Sequence, residues 1–174
     1  RMLTMIALGF SSGFPLLLVF GTLNLWLKDA GISYAAIGLF SLVKTPYSFK
    51  WAWSPIIDRI RLPLFCRLGR RRGWAFFTQI ILLFSILSMS TVEPAATPFT
   101  MAFFAVLVTV ASASQDIVLD AYRIESFNSK EQGAGVAVFV LGYRFGLVFS
   151  GAGAIWMASA MNWNDVYTVS YTHL

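Results

Sequence analysis

Five apolar runs of near-bilayer length, separated by short polar joints, dominate the chain. A helix rises about 1.5 Å per residue, so roughly 20 residues cross a hydrocarbon core of about 30 Å. The runs at 2–27, 34–57, 74–92, 99–119 and 133–161 meet that length and predict membrane-spanning helices. The joints at 28–33, 93–98 and 162–165 carry the Gly, Pro, Asn and Asp of turns. Of all residues 57% are hydrophobic and only 12% charged, with a mean hydropathy of +0.70. An ordinary soluble domain carries about 25% charged residues, so disorder is excluded and the composition argues against a soluble globule. Cys66 has no second cysteine to pair with, and the one histidine, His173, offers no metal cluster. The composition therefore predicts neither a metal nor a cofactor.

The net charge of +5 is not spread over a surface as a nucleic-acid binder would spread it. Six arginines, Arg59, Arg61, Arg67, Arg70, Arg71 and Arg72, fall in the joint between the second and third runs, and Arg123 and Lys130 in that between the fourth and fifth. The other joints together hold only Lys28. Positive charge marks the cytoplasmic side, so the amino terminus is expected in the cytoplasm. Trp26, Trp74, Trp156 and Trp163 fall near run ends, where an aromatic belt would sit. A sixth helix is expected to begin near Val166. The ending 169–174 turns polar where an apolar run should continue, and reads as a non-native tail after an amino-terminal half at 1–168 that holds five transmembrane helices and the start of the sixth, in which it is truncated. Many transporters pair two such halves around a midplane site, so a carboxy-terminal half is the expected partner, with membrane lipid around both.

A charge inside a span costs about 2.5 to 3.5 kcal/mol on insertion scales, so each needs a partner, a cavity or a function. Lys44 and Lys50 lie in the second run, Asp116 and Asp120 in or just past the fourth, and Arg144 in the fifth. Arg144 is about 16 Å deep by its place in the run, near the midplane. Thr109, Ser112, Asp116, Asp120 and Arg123 recur at three and four residues, one stripe of a helix. Two readings stand. In one, Asp116 or Asp120 pairs with Lys50 or Arg144 and merely ties helices together. In the other, the acids carry protons and the cations hold an anionic solute, a role for which the arginine fork suits a carboxylate or phosphate. Gln115, Tyr47 and Tyr143 join Lys50 and Arg144 as candidate substrate contacts, and Trp51 is a further aromatic near the path. Gly9, Ser12 and Gly13 in the first run and Gly142, Gly146, Ser150, Gly151 and Gly153 in the fifth fit small-residue helix packing. Pro15 and Pro46 are expected to kink their helices.

Asp58-Arg59 followed, after an insert, by Gly69-Arg70-Arg71-Arg72-Gly73 resembles the cytoplasmic signature of the major facilitator superfamily, Gly-x-x-x-Asp-Arg-x-Gly-Arg-Arg. The first glycine is replaced by Ser54 or Pro55. The resemblance implies a cytoplasmic gate made by Asp58, Arg59, Gly69, Arg70 and Arg71. The bland alternative is a topology signal alone.

The strings 9–16 (Gly-Phe-Ser-Ser-Gly-Phe-Pro-Leu), 40–43 (Phe-Ser-Leu-Val), Phe49-Lys50, 53–55 (Trp-Ser-Pro), 69–74, 112–121 (Ser-Ala-Ser-Gln-Asp-Ile-Val-Leu-Asp-Ala), 133–135 and 141–144 (Leu-Gly-Tyr-Arg) together resemble the AmpG muropeptide permeases. That resemblance implies an all-α polytopic protein, no enzyme, in the bacterial inner membrane. It would import GlcNAc-anhydroMurNAc, with or without peptide, by proton symport for peptidoglycan recycling. Asp116 and Asp120 would then be the proton-coupling acids. A transporter of acetyl-CoA or another large anion in the same superfamily is the nearest alternative. A prenyltransferase-like intramembrane enzyme is remote, because Asp116-x-x-x-Asp120 has no second Asp-rich partner.

Overall fold

The computed structural model describes residues 2–60 and 69–170. The expectations for Arg61, Cys66, Arg67, His173 and the last four residues lie outside these. The described chain is helical throughout, with no strand among the described residues.

Four helices are long and apolar enough to cross a membrane: α1 (Met2–Asp29), α3 (Arg70–Ser90), α4 (Pro98–Ser126) and α5 (Gln132–Ala158). Three of them run within four residues of an expected span, because the apolar run sets the helix and the joint ends it; α4 continues seven residues past its expected end, which puts Asp120, Arg123 and Glu125 on the helix. Gly31, at φ +77°, takes the left-handed turn that stops α1, and the Ile32 N–H returns to the Leu27 carbonyl. At the far side of the turn the Ser33 hydroxyl accepts from the Ala36 N–H and starts the next helical piece.

The second expected span departs from the prediction. Residues 34–59, here α2, form a broken rod: helices Tyr34–Phe40 and Thr45–Ser48 flank a 3₁₀ turn at Ser41–Lys44, and Lys50–Arg59 follows. The break falls at Pro46, which stands in the first turn of its piece and cannot donate to the preceding turn. Among the described residues four helices, not five, therefore meet span length unbroken. A last helix, α6 (Trp163–Ser170), begins three residues before the expected start.

Helix α4 is the centre of the bundle and packs against α1, α2, α3 and α5. Its most apolar stretch is 61% buried, against 28% for α5. The broadest interfaces are α1 with α5 and α3 with α4. The core runs through Phe14, Leu18, Leu82, Ile86, Met101 and Val108. Trp26 belongs to it, buried to 3% and stacked on Tyr167 with ring centroids 4.8 Å apart, so it is not the belt residue the sequence suggested. Its apolar bulk is used between α1 and α6, whereas Trp156 stays exposed.

Two glycine pairs explain the α1–α5 interface. A Cβ on Gly9 would lie 2.1 Å from the Phe139 carbonyl oxygen, and one on Gly142 2.1 Å from that of Ile6. Gly13 and Gly146 make the same kind of approach to Tyr143 and Phe10. Only hydrogen fits, and the backbones close to a distance other residues forbid. Beyond the glycines both helices widen into π turns, at Leu18–Thr22 and Phe149–Gly153.

Candidate functional site

The polar stripe of α4 is turned into the bundle: Thr109, Ser112 and Asp116 are all buried. Thr109 satisfies its hydroxyl on its own helix, at the Ala105 carbonyl. Asp116 accepts a short hydrogen bond from the Ser12 hydroxyl of α1. No cation forms an ion pair with Asp116 among the described residues; the helix-tying pairs with Lys50 or Arg144 are absent there too. Asp120 instead pairs with Arg123 one turn on, at 3.0 Å, and the Arg123 guanidinium lies 5.1 Å from the Phe139 ring centroid.

Gln115 stands beside Asp116 and is buried. Its amide nitrogen donates to Gln79 Oε1 at 2.7 Å and to the Ser11 hydroxyl at 3.2 Å, while Ser11 donates to the same Gln79 oxygen at 3.4 Å. Two polar groups thus lie between α1, α3 and α4: the pair Ser12–Asp116, and the triad of Ser11, Gln79 and Gln115. The Gln115 Oε1 and Ser112 Oγ atoms are buried with no hydrogen-bond partner among the described residues. Such atoms keep a site receptive, since an unmet acceptor in low dielectric is costly until a donor arrives. Gln79 and Ser12 escaped the sequence reading. Gln79 was visible as the amide of an otherwise apolar run, and Ser12 was taken for a packing residue.

The lysines of α2 rest on aromatic faces. Lys44 Nζ is 5.2 Å from the Phe20 ring and Lys50 Nζ 5.1 Å from the Tyr47 ring, and those two rings meet edge to face at 5.9 Å. A cation over a ring keeps part of its electrostatic partner when water is withdrawn. Trp53, on the same face of the chain, donates to the Ser114 hydroxyl at 3.2 Å and seats the last piece of α2 on α4. Trp51 is exposed.

Tyr143 and Arg144 lie midway along α5. Tyr143 is partly buried against Gly13 of α1, and Arg144 is exposed with no carboxylate partner among the described residues. An arginine at that depth cannot face lipid without a large penalty. Lys50, Tyr47, Gln115, Asp116 and Arg144 therefore do not come together: Gln115 and Asp116 lie inside the bundle, Tyr47 and Lys50 on α2 beside Phe20 of α1, and Arg144 is exposed on α5.

At the arginine-rich end the structure joins Asp58 to Arg71 by a short ion pair. Arg71 also reaches Glu125 at the end of α4, through Nη2 at 3.0 Å and Nε at 3.1 Å. One guanidinium thus ties α2, α3 and α4. Gly69, at φ +81°, turns the chain into α3, a conformation suited to glycine. Arg59 and Arg70 are exposed and outside this cluster. Glu125 was not foreseen, because it lies off the α4 stripe.

Residues 1–96 match the family model described as acetyl-coenzyme A transporter 1. The chain is 45% identical over 168 residues to the anhydromuropeptide permease of Escherichia coli K12, an overlap that takes in 96% of this chain and 34% of that protein. It is 33% identical over 171 residues to the putative transporter AmpG 4 of Rickettsia felis, covering 97% of this chain and 41% of that one. The chain thus spans between about a third and two fifths of the length of these curated relatives. Its four membrane-capable helices make it a multi-pass membrane protein, and the relatives it matches are named as permeases and transporters. Its resemblance to the AmpG permeases holds over nearly its whole length, and the chain belongs to the acetyl-coenzyme A transporter 1 family.

Proposed function

We propose that this chain is the amino-terminal half, 1–168, of a major facilitator transporter that imports anhydromuropeptides across the bacterial inner membrane by proton symport. On this reading α2 counts as a fifth span despite its break, α6 starts the sixth, residues 169–174 are not native, and the amino terminus is cytoplasmic. The likeness to the Escherichia coli permease is what carries the substrate. Anhydromuropeptides bear carboxylates and sugar rings, which suit Arg144 and Lys50 on one hand and Tyr47 and Tyr143 on the other. Gln115 adds an unmet acceptor for a sugar hydroxyl.

The exposed Arg144 supports a missing second half. A mid-span guanidinium needs protein or water against it, and a carboxy-terminal half would supply both the wall and the cavity. Asp116, buried with a serine and with no ion-paired cation among the described residues, is suited to take up a proton; Asp120, paired with Arg123, is suited to pass it toward the cytoplasm. The cytoplasmic gate is the Asp58–Arg71 pair, its closing bond, with Gly69 turning the chain into α3; Arg59 and Arg70, expected in it, stay exposed beside it.

The match of residues 1–96 to the acetyl-coenzyme A transporter family favours a second reading, a nucleotide-linked anion as substrate. Both are tested by uptake of labelled anhydromuropeptide into a permease-null bacterium expressing the whole reading frame that contains this chain. Uptake that collapses with a protonophore is expected. Absence of uptake from cells with the protein in the membrane would refute the muropeptide reading, and acetyl-CoA uptake would replace it.

A further inference from the structure

Two lysines stand within α2, Lys44 at the end of the 3₁₀ turn and Lys50 at the start of the last piece. Both are half-buried, and neither has a carboxylate partner among the described residues. With Tyr47 between them they recur every third residue. A straight α-helix would fan such a series round its axis by about 60° a step. In α2 the 3₁₀ turn and the break at Pro46 intervene, and both ammonium groups reach one aromatic pair. Lys44 lies over Phe20 of α1 at 5.2 Å and Lys50 over Tyr47 at 5.1 Å, and the two rings are 5.9 Å apart.

A ring face offsets only part of the cost of withdrawing an ammonium from water, because it brings no net negative charge. Two ammonium groups at one aromatic pair leave a place that a solute with more than one carboxylate would complete. Phe20 and Tyr47 also border a crevice with Thr109 and Ser112 of α4. The Thr109 hydroxyl is satisfied on its own helix, whereas the Ser112 Oγ is buried with no hydrogen-bond partner among the described residues. The place thus lacks both negative charge and a hydrogen-bonding group, and a peptide with free carboxylates carries both.

We propose that Lys44 and Lys50 hold the carboxylates of the peptide part of a muropeptide, and that Lys44 is the residue that favours peptide-bearing over peptide-free substrate. This rests on the muropeptide reading above and deepens it. The disaccharide alone carries one carboxylate, for which one cation suffices. Its peptide-bearing form carries two or more, and Lys44 is the additional cation. Arg144, on α5, is left to the remainder of the solute.

Uptake by the whole transporter in a permease-null bacterium tests this, with two substrates: GlcNAc-anhydroMurNAc, and the same disaccharide carrying a tripeptide with two or more free carboxylates. Lys44→Gln is expected to raise the KM for the peptide-bearing substrate at least about fivefold more than that for the disaccharide, the loss of one charge-assisted contact. Lys44→Arg, which keeps the charge, should restore the parent preference. A shift of equal size for both substrates, or none for either, overturns the inference and leaves the muropeptide reading standing; the equal shift would give Lys44 to a carboxylate of the second half instead. A loss of preference in Lys44→Arg as large as in Lys44→Gln overturns it too. If the unaltered protein takes up neither substrate, the muropeptide reading falls and this inference with it. Should Lys44→Gln not reach the membrane, competition on the unaltered protein decides. Amidating the carboxylates of the peptide should weaken its inhibition of disaccharide uptake about fivefold or more, and equal inhibition by acid and amide overturns the inference.

Discussion

The Thr22 hydroxyl donates to the Ser150 carbonyl oxygen at 3.3 Å, so the two π turns of the bundle are bonded to each other. A π turn widens the helix by one residue and loosens its hydrogen bonding, and such turns occur often at functional sites. Here side chains support it from both neighbours. The Leu18 carbonyl accepts from the Leu23 N–H and also from the buried Tyr167 hydroxyl of α6, at 2.8 Å.

Tyr167→Phe should therefore cost about 1 kcal/mol, the net worth of one buried hydrogen bond, and Thr22→Val no more than that. Urea unfolding in detergent measures both. A Tyr167→Phe protein as stable as the parent would show that the π turn needs no support from α6.

Gly142→Ala should destabilise by at least about 1 to 3 kcal/mol, since its Cβ would lie 2.1 Å from the Ile6 carbonyl oxygen and the backbones must part. Gly133→Ala is the matched control on the same helix: nothing lies within 4 Å of its Cβ, and helix propensity favours the change by about 0.5 to 1 kcal/mol. Thermal melts of the two variants should move in opposite directions. If they shift alike, the α1–α5 interface is looser than its glycines imply.

Exchanging the charges of Asp58 and Arg71 should fail to restore the gate. The new carboxylate at position 71 would face Glu125 as well as its intended partner, because Arg71 serves both acids. Adding Glu125→Arg to the exchange should rescue it. Each exposed pair is worth only about 0.2 to 1 kcal/mol. The readout is accordingly the accessibility of an engineered cytoplasmic cysteine during transport, not stability. Rescue by the two-residue exchange would remove Glu125 from the cluster.

Asp116→Asn keeps the shape and a hydrogen-bonding group for Ser12 but loses the proton. Substrate exchange should persist in proteoliposomes while accumulation driven by a proton gradient disappears. Accumulation at the parent level would take Asp116 out of the coupling path.

Arg144→Ala should raise the apparent KM for muropeptide uptake about tenfold or more, the loss of one charge-assisted hydrogen bond. Arg144→Lys should recover part of it, since the charge returns without the fork. An unchanged KM in Arg144→Ala would assign the residue to contact with the second half alone.

The spans were legible because apolar length is a one-dimensional quantity; α1, α3 and α5 follow it closely, and α4 outruns it at one end. The break of α2 was half legible: Pro46 announced a kink, while the 3₁₀ turn at Ser41–Lys44 depends on how the rod meets α4. Asp58 and Arg71 could be paired from a motif. Glu125 could not, because nothing in the chain says that the ends of α2 and α4 meet. The same limit applies to Ser12 and Asp116, which are 104 residues apart and joined only by packing. Lys50 is expected among carboxylates but lies on the Tyr47 ring, as Lys44 lies on that of Phe20, an answer that charge counting does not contain.

The glycine face of α1 has a temporal consequence. Gly9 and Gly13 fit against Phe139 and Tyr143, residues synthesised about 130 positions later. At about 5 to 20 residues per second, the first helix waits roughly 7 to 26 s in the bilayer before its partner emerges from the ribosome. Until α4 follows late in that interval, it has only its own affinity for lipid to hold it, and the glycine face itself stays open until α5 arrives. Selection for insertion and selection for close packing thus act on one helix at different moments of biogenesis, and α1 meets the first demand by being the most apolar of the four spans.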